Sequence, residues 1–198
     1  MLNNIILASK SKVRKKILEN NNIFCKVEPS NIDEDNVKKS LLNEKASPEL
    51  ISKNLAELKA NKISSKNYDH IVLGADSVID LQGELISKPA DRNEAMLILK
   101  KLNGKEHYLI SSVCLSKNGS MIWNYTDKAK LKMKNFSEQE LKEYLSKISD
   151  EALYAYNVYQ IEGEGRNLFS EINGDEDTIM GLPIKKIKLY LEEIQWKS

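Results

Sequence analysis

The chain of 198 residues lacks the features that mark several large classes of protein. Its two cysteines, Cys25 and Cys114, lie far apart and belong to no Cys-x-x-Cys pair. The sequence therefore indicates neither a zinc site nor a disulfide framework. No stretch approaches the roughly 18 consecutive apolar residues of a membrane-spanning helix. No repeat, low-complexity tract or Gly/Ser-rich linker divides the chain, so we expect a single cytoplasmic domain over residues 1–198.

An excess of charge of one sign is also absent. Lysine and arginine total 30 and aspartate and glutamate total 29, which gives a net charge of +1. A protein that coats a polyanion by charge alone has a strong basic excess, and no basic stripe interleaved with aromatic residues is present here. We expect no membrane partner and no stable nucleic-acid binding. Local clusters of basic residues would then bind small anions.

Segments with the apolar pattern of a strand alternate along the chain with segments that have the pattern of a helix. One helix is predicted after the turn that follows the first strand. The predicted N-caps of three further helices are Ser47, Asp91 and Ser137, and Pro183 is predicted to open the last helix. Strands are predicted at Ile5–Leu7, Phe24–Glu28, His70–Ile79 (interrupted at Gly74–Ser77), Tyr108–Leu115 and Ser120–Met133. The pattern predicts the α/β class, with a mixed twisted sheet, flanking helices and two lobes around a cleft.

The first strand-to-helix turn has the composition of a phosphate-binding turn. The apolar run Ile5–Leu7 ends at two hydroxyls, Ser9 and Ser11, and the helix that follows carries Arg14 and several lysines. Free main-chain N–H groups at such a turn, with cations nearby, can hold phosphate. The alternative is an ordinary first βα unit with a serine N-cap and a solvated basic helix face. Taken alone, the segment favours that alternative.

Asp76 is the most unusual polar residue, because it is a carboxylate within a very apolar predicted strand. Such a group is costly unless it is paired, bound to a metal or placed at a strand end beside solvent. A structural aspartate that caps the following turn is the alternative. Glu34 lies just beyond a strand, and Lys59 and Lys88 could each be ordinary surface lysines.

Seven short motifs stand in a fixed order along nearly the whole chain. They are Leu7–Leu18, Ile32–Glu34, Leu55–Ala60, Gly74–Ser77, Ser87–Pro89, Ala95–His107 and Tyr159–Pro183. Each is weak alone, but in this order they resemble the Maf family of nucleoside triphosphate pyrophosphatases. The resemblance implies a Maf/ITPase-like fold and hydrolysis of nucleoside triphosphates, between the α and β phosphates, to a nucleoside monophosphate and pyrophosphate. Such enzymes remove unwanted nucleotides from the pool.

The resemblance also implies roles for particular residues. Asp76 is expected to be the proton acceptor, with Glu34, Lys59 and Lys88 as further catalytic residues. The expected substrate-binding residues are Ser9, Ser11, Val13, Arg14, Ser77 and Glu162. A divalent cation, Mg²⁺ or Mn²⁺, is expected at Glu34 and Asp76, because hard oxygen ligands select such ions. His107 is interpreted as structural, and the family suggests a homodimer.

At the three positions that are linked to base choice in the family, the chain departs from the branch that hydrolyses dTTP and UTP. Val13, Ser77 and Glu162 stand where that branch has Arg, Thr and Gln. A glutamine amide offers one donor and one acceptor to uracil or thymine, whereas an ionised glutamate only accepts. Glutamate suits the N1–H and amino group of guanine, so the base preference stays open between dTTP/UTP and 7-methyl-GTP.

Two other classes of function remain as alternatives. A nucleotidyl- or phosphotransferase could use the same basic pocket, although no Gly-x-x-x-x-Gly-Lys-[Ser/Thr] loop is present. A non-enzymatic regulator of cell division, or a nucleotide-binding protein, is the second alternative, because the family has been linked to septum formation.

Overall fold

The computed structural model describes residues 5–150, 153 and 157–195 of the predicted 1–198 domain. Its strands are β1 (Ile5–Leu7), β2 (Cys25–Val27), β3 (Ile71–Leu81), β4 (Glu84–Ile86), β5 (Glu106–Lys117), β6 (Ser120–Met133) and β7 (Phe169–Asn173). Its α-helices are α1 (Lys12–Asn20), α2 (Glu34–Asn43), α3 (Pro48–Ser64), α4 (Arg92–Leu102), α5 (Glu138–Lys147), α6 (Glu176–Ile179) and α7 (Ile184–Gln195), and a 3-10 helix spans Glu164–Leu168. The α/β class is confirmed.

All seven strands form one mixed sheet in the order β2-β1-β3-β5-β6-β7, with β4 also paired to β3. Strand β1 runs parallel to both β2 and β3, and the remaining pairs are antiparallel. The mixed sheet with flanking helices is therefore as predicted.

One edge of β3 is split between two partners. Leu73 pairs with β1 and Ile79 pairs with β4, while β5 covers the other edge from Val72 to Asp80. No strand of the described residues lies beside the intervening residues, 74–78, on the split edge. The predicted interruption at Gly74–Ser77 is wrong, since β3 is continuous there. The break lies instead beside β3, in the gap between β1 and β4, where a ligand can approach β3.

Helix α3 packs unusually close to β3 because Gly74 has no side chain. A Cβ at Gly74 would lie 2.2 Å from the carbonyl oxygen of Ala56 and 2.7 Å from the main-chain nitrogen of Ala60. This close approach brings Lys59, on α3, next to the polar residues of β3.

The predicted helix starts are confirmed by their caps. The side chains of Ser47, Asp91 and Ser137 each accept a hydrogen bond from the main-chain N–H three residues later. Helix α2 was not predicted. Its N-cap is Asp33, and none of its residues is buried, so it has no apolar stripe for the sequence to reveal.

Two large clusters of buried apolar side chains lie towards opposite ends of β3 and β5. One includes Leu73, Leu115 and Ile187, and the other includes Ile79 and Leu109. Among the described residues, none of the helices has the length and apolar character needed to cross a membrane.

Candidate active site

A cavity of about 1090 Å³ opens at the split edge of β3. Its walls include every residue for which the sequence predicted a site role. These are Ser9, Ser11, Val13, Arg14, Glu34, Lys59, Asp76, Ser77, Lys88 and Glu162. They come from widely separated parts of the chain, so the fold itself brings them together.

An ion-pair cluster with a buried lysine and a buried aspartate occupies one wall of the cavity. The Nζ atom of Lys59 lies 2.8 Å from Asp76 Oδ1 and 2.9 Å from Glu34 Oε1. Lys59 and Asp76 are only 6% and 5% exposed. The alternatives of a surface lysine at Lys59 and of a turn-capping aspartate at Asp76 are therefore wrong. The lysine supplies the partner that a carboxylate within an apolar strand needs.

The second oxygen of Asp76 has no partner. Oδ2 is buried, and it accepts no hydrogen bond from any described residue. An unsatisfied buried carboxylate oxygen is costly, and natural proteins retain few of them. Asp76 therefore has one oxygen fixed by Lys59 and another available for a proton, a water or a cation.

Glu34 is also held in its ionised form. Its partial burial alone would raise the pKa of the carboxyl, but the charge of Lys59, the hydrogen bond from Lys59 and the charges of Lys38 and Arg14 together outweigh that effect. The pKa of Glu34 therefore lies below its ordinary value. Because Glu34 begins α2, this helix places the carboxylate at the cavity.

Arg14 is a cation held almost entirely by neutral acceptors. Its Nε donates to the carbonyl of Gly181 (2.9 Å), Nη1 to Ser9 Oγ (3.2 Å) and the carbonyl of Ala75 (2.9 Å), and Nη2 to Ser77 Oγ (3.0 Å). A guanidinium has five N–H donors, so one remains. Desolvation lowers the pKa of Arg14. It forms no ion pair within the described part of the chain, so its charge is available to an anion.

The first turn both caps a helix and lines the cavity. Ser11 Oγ accepts from the main-chain N–H of Arg14, and the main-chain N–H of Ser11 donates to Ser9 Oγ. The two alternatives for this segment are thus compatible. The serine N-cap orients α1 so that its N-terminus and Arg14 face the cavity.

Lys88 lines the cavity between β4 and α4. The surrounding protein removes part of its hydration, and this desolvation, together with the nearby Arg14 charge, lowers the pKa of Lys88. Lys88 is therefore close enough to Arg14, Asp76 and Glu34 for their charges to affect its pKa.

Part of the cavity wall is apolar and was not predicted. It includes Ile79 and Leu109 from the sheet and Tyr159 and Ile161 from the segment before the 3-10 helix. The last two residues lie within a family motif, but their pattern gave no sign of facing a cavity. Glu162 is next to this wall in sequence.

Ser111 was likewise given no role by the sequence. Its hydroxyl is completely buried behind the cavity and lies 2.8 Å from Ser77 Oγ. A serine within an apolar strand gives no signal of the partner that it contacts across the sheet.

His107 does not line the cavity. It is 1% exposed, and its Nε2 lies 3.0 Å from the hydroxyl of Tyr159. Burial lowers the pKa of His107 to about 4, which keeps the ring neutral near pH 7. This placement agrees with the structural interpretation of the histidine.

The donor set can be compared with what a divalent cation requires. No group of three or more His, Cys, Asp or Glu side chains suited to a metal occurs among the described residues. However, Mg²⁺ is commonly held by one or two carboxylates together with substrate phosphates and water. Glu34 and Asp76, with the unpartnered Oδ2, fit that pattern.

A cation-rich cleft with two carboxylates on one wall and apolar side chains on another is typical of an α/β protein that binds a small phosphorylated molecule. A family model described as Maf-like protein matches residues 4–194. The chain therefore belongs to the Maf family.

Two relatives of similar sequence agree with this membership. A protein of Pelagibacter ubique named nucleoside triphosphate pyrophosphatase is 73% identical over 98% of this chain and 100% of its own length. A protein of Brucella abortus named 7-methyl-GTP pyrophosphatase is 37% identical over 91% of this chain and 90% of its own. Among solved structures, the Staphylococcus aureus Ham1 protein aligns over 96% of this chain and 98% of its own, with 14% identity and a TM-score of 0.42.

Proposed function

We propose that this protein is a nucleoside triphosphate pyrophosphatase that hydrolyses the bond between the α and β phosphates and acts on the cytoplasmic nucleotide pool. One observation carries the proposal. Cations and carboxylates predicted from separate motifs line a single cavity with an apolar wall, and the cavity is large enough for a nucleotide. The names of the relatives support the same reaction.

The triphosphate would bind at the cationic wall. Arg14 contributes a charge without a carboxylate partner and one remaining N–H, and Lys88 adds a second charge nearby. The turn from Ser9 to Ser11 presents the N-terminus of α1, which favours negative charge. Charge-assisted hydrogen bonds of this kind are the strong ones in phosphate recognition.

Asp76 would accept the proton of the attacking water. Lys59 fixes Oδ1, which leaves Oδ2 as the basic oxygen. A carboxylate is a weak base, with an ordinary pKa near 3.9, so the water must be positioned and polarised. Glu34 pairs with the same Lys59 ammonium and can orient that water from the other side of the ammonium. Lys59 keeps both carboxylates in place.

We also propose that Glu34 and Asp76 hold a divalent cation, Mg²⁺ or Mn²⁺, together with the phosphates of the substrate. Such a cation lowers the pKa of bound water and offsets charge that develops on phosphate oxygens. Removal of metal with a chelator should abolish turnover, and Mg²⁺ or Mn²⁺ should restore it. Full activity in the chelator would contradict the metal proposal.

The nucleoside would lie against the apolar wall of Ile79, Leu109 and Tyr159. Glu162, next to this wall in sequence, can only accept hydrogen bonds when ionised, which suits the adjacent N1–H and amino donors of guanine. This favours guanine nucleotides, including 7-methyl-GTP, over dTTP and UTP.

A substrate panel tests the reaction and the base together. Pyrophosphate release is measured with GTP, 7-methyl-GTP, dTTP, UTP, ATP and CTP. Strong turnover of dTTP and UTP without turnover of 7-methyl-GTP would exclude the guanine preference. Phosphoryl transfer to an added acceptor would indicate the transferase alternative. Nucleotide binding without turnover would indicate the regulatory one.

The family resemblance also supports a homodimer as the working assembly. Size-exclusion chromatography with light scattering should give twice the chain mass of 22.6 kDa. A single-chain mass at all concentrations tested would reject the dimer.

A further inference from the structure

The buried hydroxyl of Ser111 has a fixed proton. Its Oγ lies 2.7 Å from the main-chain oxygen of Thr178 and 2.8 Å from Ser77 Oγ. A carbonyl oxygen carries no proton, so a hydrogen bond between Ser111 and Thr178 uses the proton of Ser111. A serine hydroxyl has only one proton, and it is therefore unavailable to Ser77.

The proton of Ser77 is fixed as a consequence. In the hydrogen bond between the two serines, Ser77 must be the donor and Ser111 the acceptor. Ser77 Oγ also accepts from Nη2 of Arg14 at 3.0 Å. One lone pair of Ser77 remains for the cavity, and no proton remains.

These bonds close into a ring that holds the arrangement. Arg14 Nε donates to the carbonyl of Gly181, and the main-chain N–H of Gly181 donates to the same Thr178 oxygen at 3.0 Å. The ring therefore runs through Arg14, Ser77, Ser111, Thr178 and Gly181. The bonds from Arg14 through Ser77 and Ser111 to Thr178 all run in one direction, and hydrogen bonds in such a chain strengthen one another.

The ring is anchored at its far side. The Oγ1 atom of Thr178 donates to Asp127 Oδ2 at 2.7 Å, which ties α6 to β6. Gly181 has a positive φ, and a Cβ there would lie 3.0 Å from Ser77 Oγ. The segment that contains Thr178 and Gly181 is thus packed directly against the two serines.

An acceptor-only hydroxyl discriminates between parts of a nucleotide. Phosphate oxygens that are ionised at neutral pH have no proton to offer, so Ser77 is unsuited to bind them. A base edge with an N–H group satisfies the remaining lone pair, whereas an edge with a bare ring nitrogen leaves two acceptors facing each other.

We propose that Ser111 is a positioning residue, which holds the Ser77 hydroxyl in an acceptor-only orientation and so favours nucleobases that present an N–H donor. The proposal rests on the proposed function and deepens it, since it gives the selectivity of that site a structural cause. Ser111 acts through Ser77 and touches no substrate atom.

The test uses two pairs of substrates that differ at one edge position. GTP offers N1–H where ATP offers a bare nitrogen, and UTP offers N3–H where CTP offers a bare nitrogen. In the wild type, kcat/KM should favour GTP over ATP and UTP over CTP. In Ser111→Ala the proton of Ser77 is released, so the larger of these ratios should fall on the order of tenfold, mainly through KM.

Ser111→Thr is the matched control, because it keeps the hydroxyl and should keep both ratios within about twofold. The proposal is overturned if Ser111→Ala lowers activity on all substrates equally, or if Ser111→Thr changes the ratios as much as Ser111→Ala. Thermal unfolding of each variant shows whether it is folded.

A second measurement keeps the proposal testable if Ser111→Ala does not fold. Binding of α,β-methylene analogues of GTP and ATP is compared in the wild type and Ser77→Ala. A loss of the GTP preference supports the proposal, and an unchanged preference rejects it. If the wild type binds GTP selectively but releases no pyrophosphate, the proposed reaction is rejected, whereas the proposed role of Ser111 is not.

Discussion

At the scale of single residues, the site is organised around Lys59. It is the shared partner of Asp76 and Glu34, and it makes a buried carboxylate tolerable within an apolar strand. Its ammonium leaves Asp76 Oδ2 without a partner. The arrangement therefore places a cation beside the Asp76 carboxylate and still leaves Oδ2 able to act as the base in the proposed reaction.

Asp76→Asn should remove the base and leave the fold intact. We expect kcat for pyrophosphate release to fall by about 10²–10⁴-fold, the usual contribution of a positioned acid or base. The matched control is Asp80→Asn on the same strand, because Asp80 does not line the cavity and an amide oxygen can still accept from the turn at Gly83. If Asp76→Asn kept more than a tenth of the activity, Asp76 would not be the base.

Lys88 should set the alkaline limit of activity. Desolvation and the Arg14 charge lower the pKa of Lys88, so it loses its proton at a lower pH than an ordinary lysine. As the pH rises through that lowered pKa, a charge that attracts phosphate disappears and KM increases. Lys88→Arg keeps its charge and should move the alkaline rise in KM to higher pH. Identical KM profiles for the two proteins would contradict this role.

At the scale of elements, the split edge of β3 creates the site, and Gly74 determines how closely α3 approaches it. Gly74→Ala would place a methyl group 2.2 Å from a main-chain oxygen of α3. The helix must then move away and carry Lys59 from Asp76. We expect a loss of about 2 kcal/mol or more in unfolding free energy, in the range of overpacked cores, together with a fall in kcat.

Gly163→Ala is the control for that substitution. A Cβ at Gly163 would meet its nearest atoms at 3.7 Å, which is ordinary contact. Urea denaturation should show little change in its stability. Equal stability of the two alanine variants would show that Gly74 does not limit the packing of α3.

The sequence predicted those elements that carry strong local signals. The N-caps at Ser47 and Ser137 have their expected partners, because capping depends on residues only three positions apart. Helix α2 was missed because its side chains are not buried. The β3 strand was predicted with an interruption, since Gly74 resembles a break and its close contact with α3 depends on distant residues.

At the scale of the whole molecule, two apolar cores share the long strands β3 and β5, and the cavity opens where the sheet is split. Motifs in a fixed order predicted the residues that line it. The apolar wall and Ser111 were not predicted, because their positions depend on contacts across the sheet that no local pattern contains.

The stability of the molecule should depend on pH through His107. Burial lowers its pKa to about 4 in the folded state, from an ordinary value of 6.5. Between these values the unfolded chain binds a proton that the folded protein does not, so stability falls as the pH falls. We expect a loss of about 2 kcal/mol from pH 7 to pH 5.

Urea denaturation of the wild type and of His107→Gln at both pH values measures this effect. The variant lacks the titrating group, so its stability should change less over the same range. A parallel loss in both proteins would place the pH dependence elsewhere. Activity at pH 7 should be largely retained in the folded variant, because His107 does not line the cavity.

The most direct test of the account identifies the products of hydrolysis by ³¹P NMR. The purified protein is given its preferred nucleoside triphosphate with Mg²⁺. The account predicts equal amounts of nucleoside monophosphate and pyrophosphate, with no nucleoside diphosphate and no orthophosphate, and a near-complete loss of both products in Asp76→Asn. Formation of nucleoside diphosphate and orthophosphate, or undiminished turnover in that variant, would contradict it.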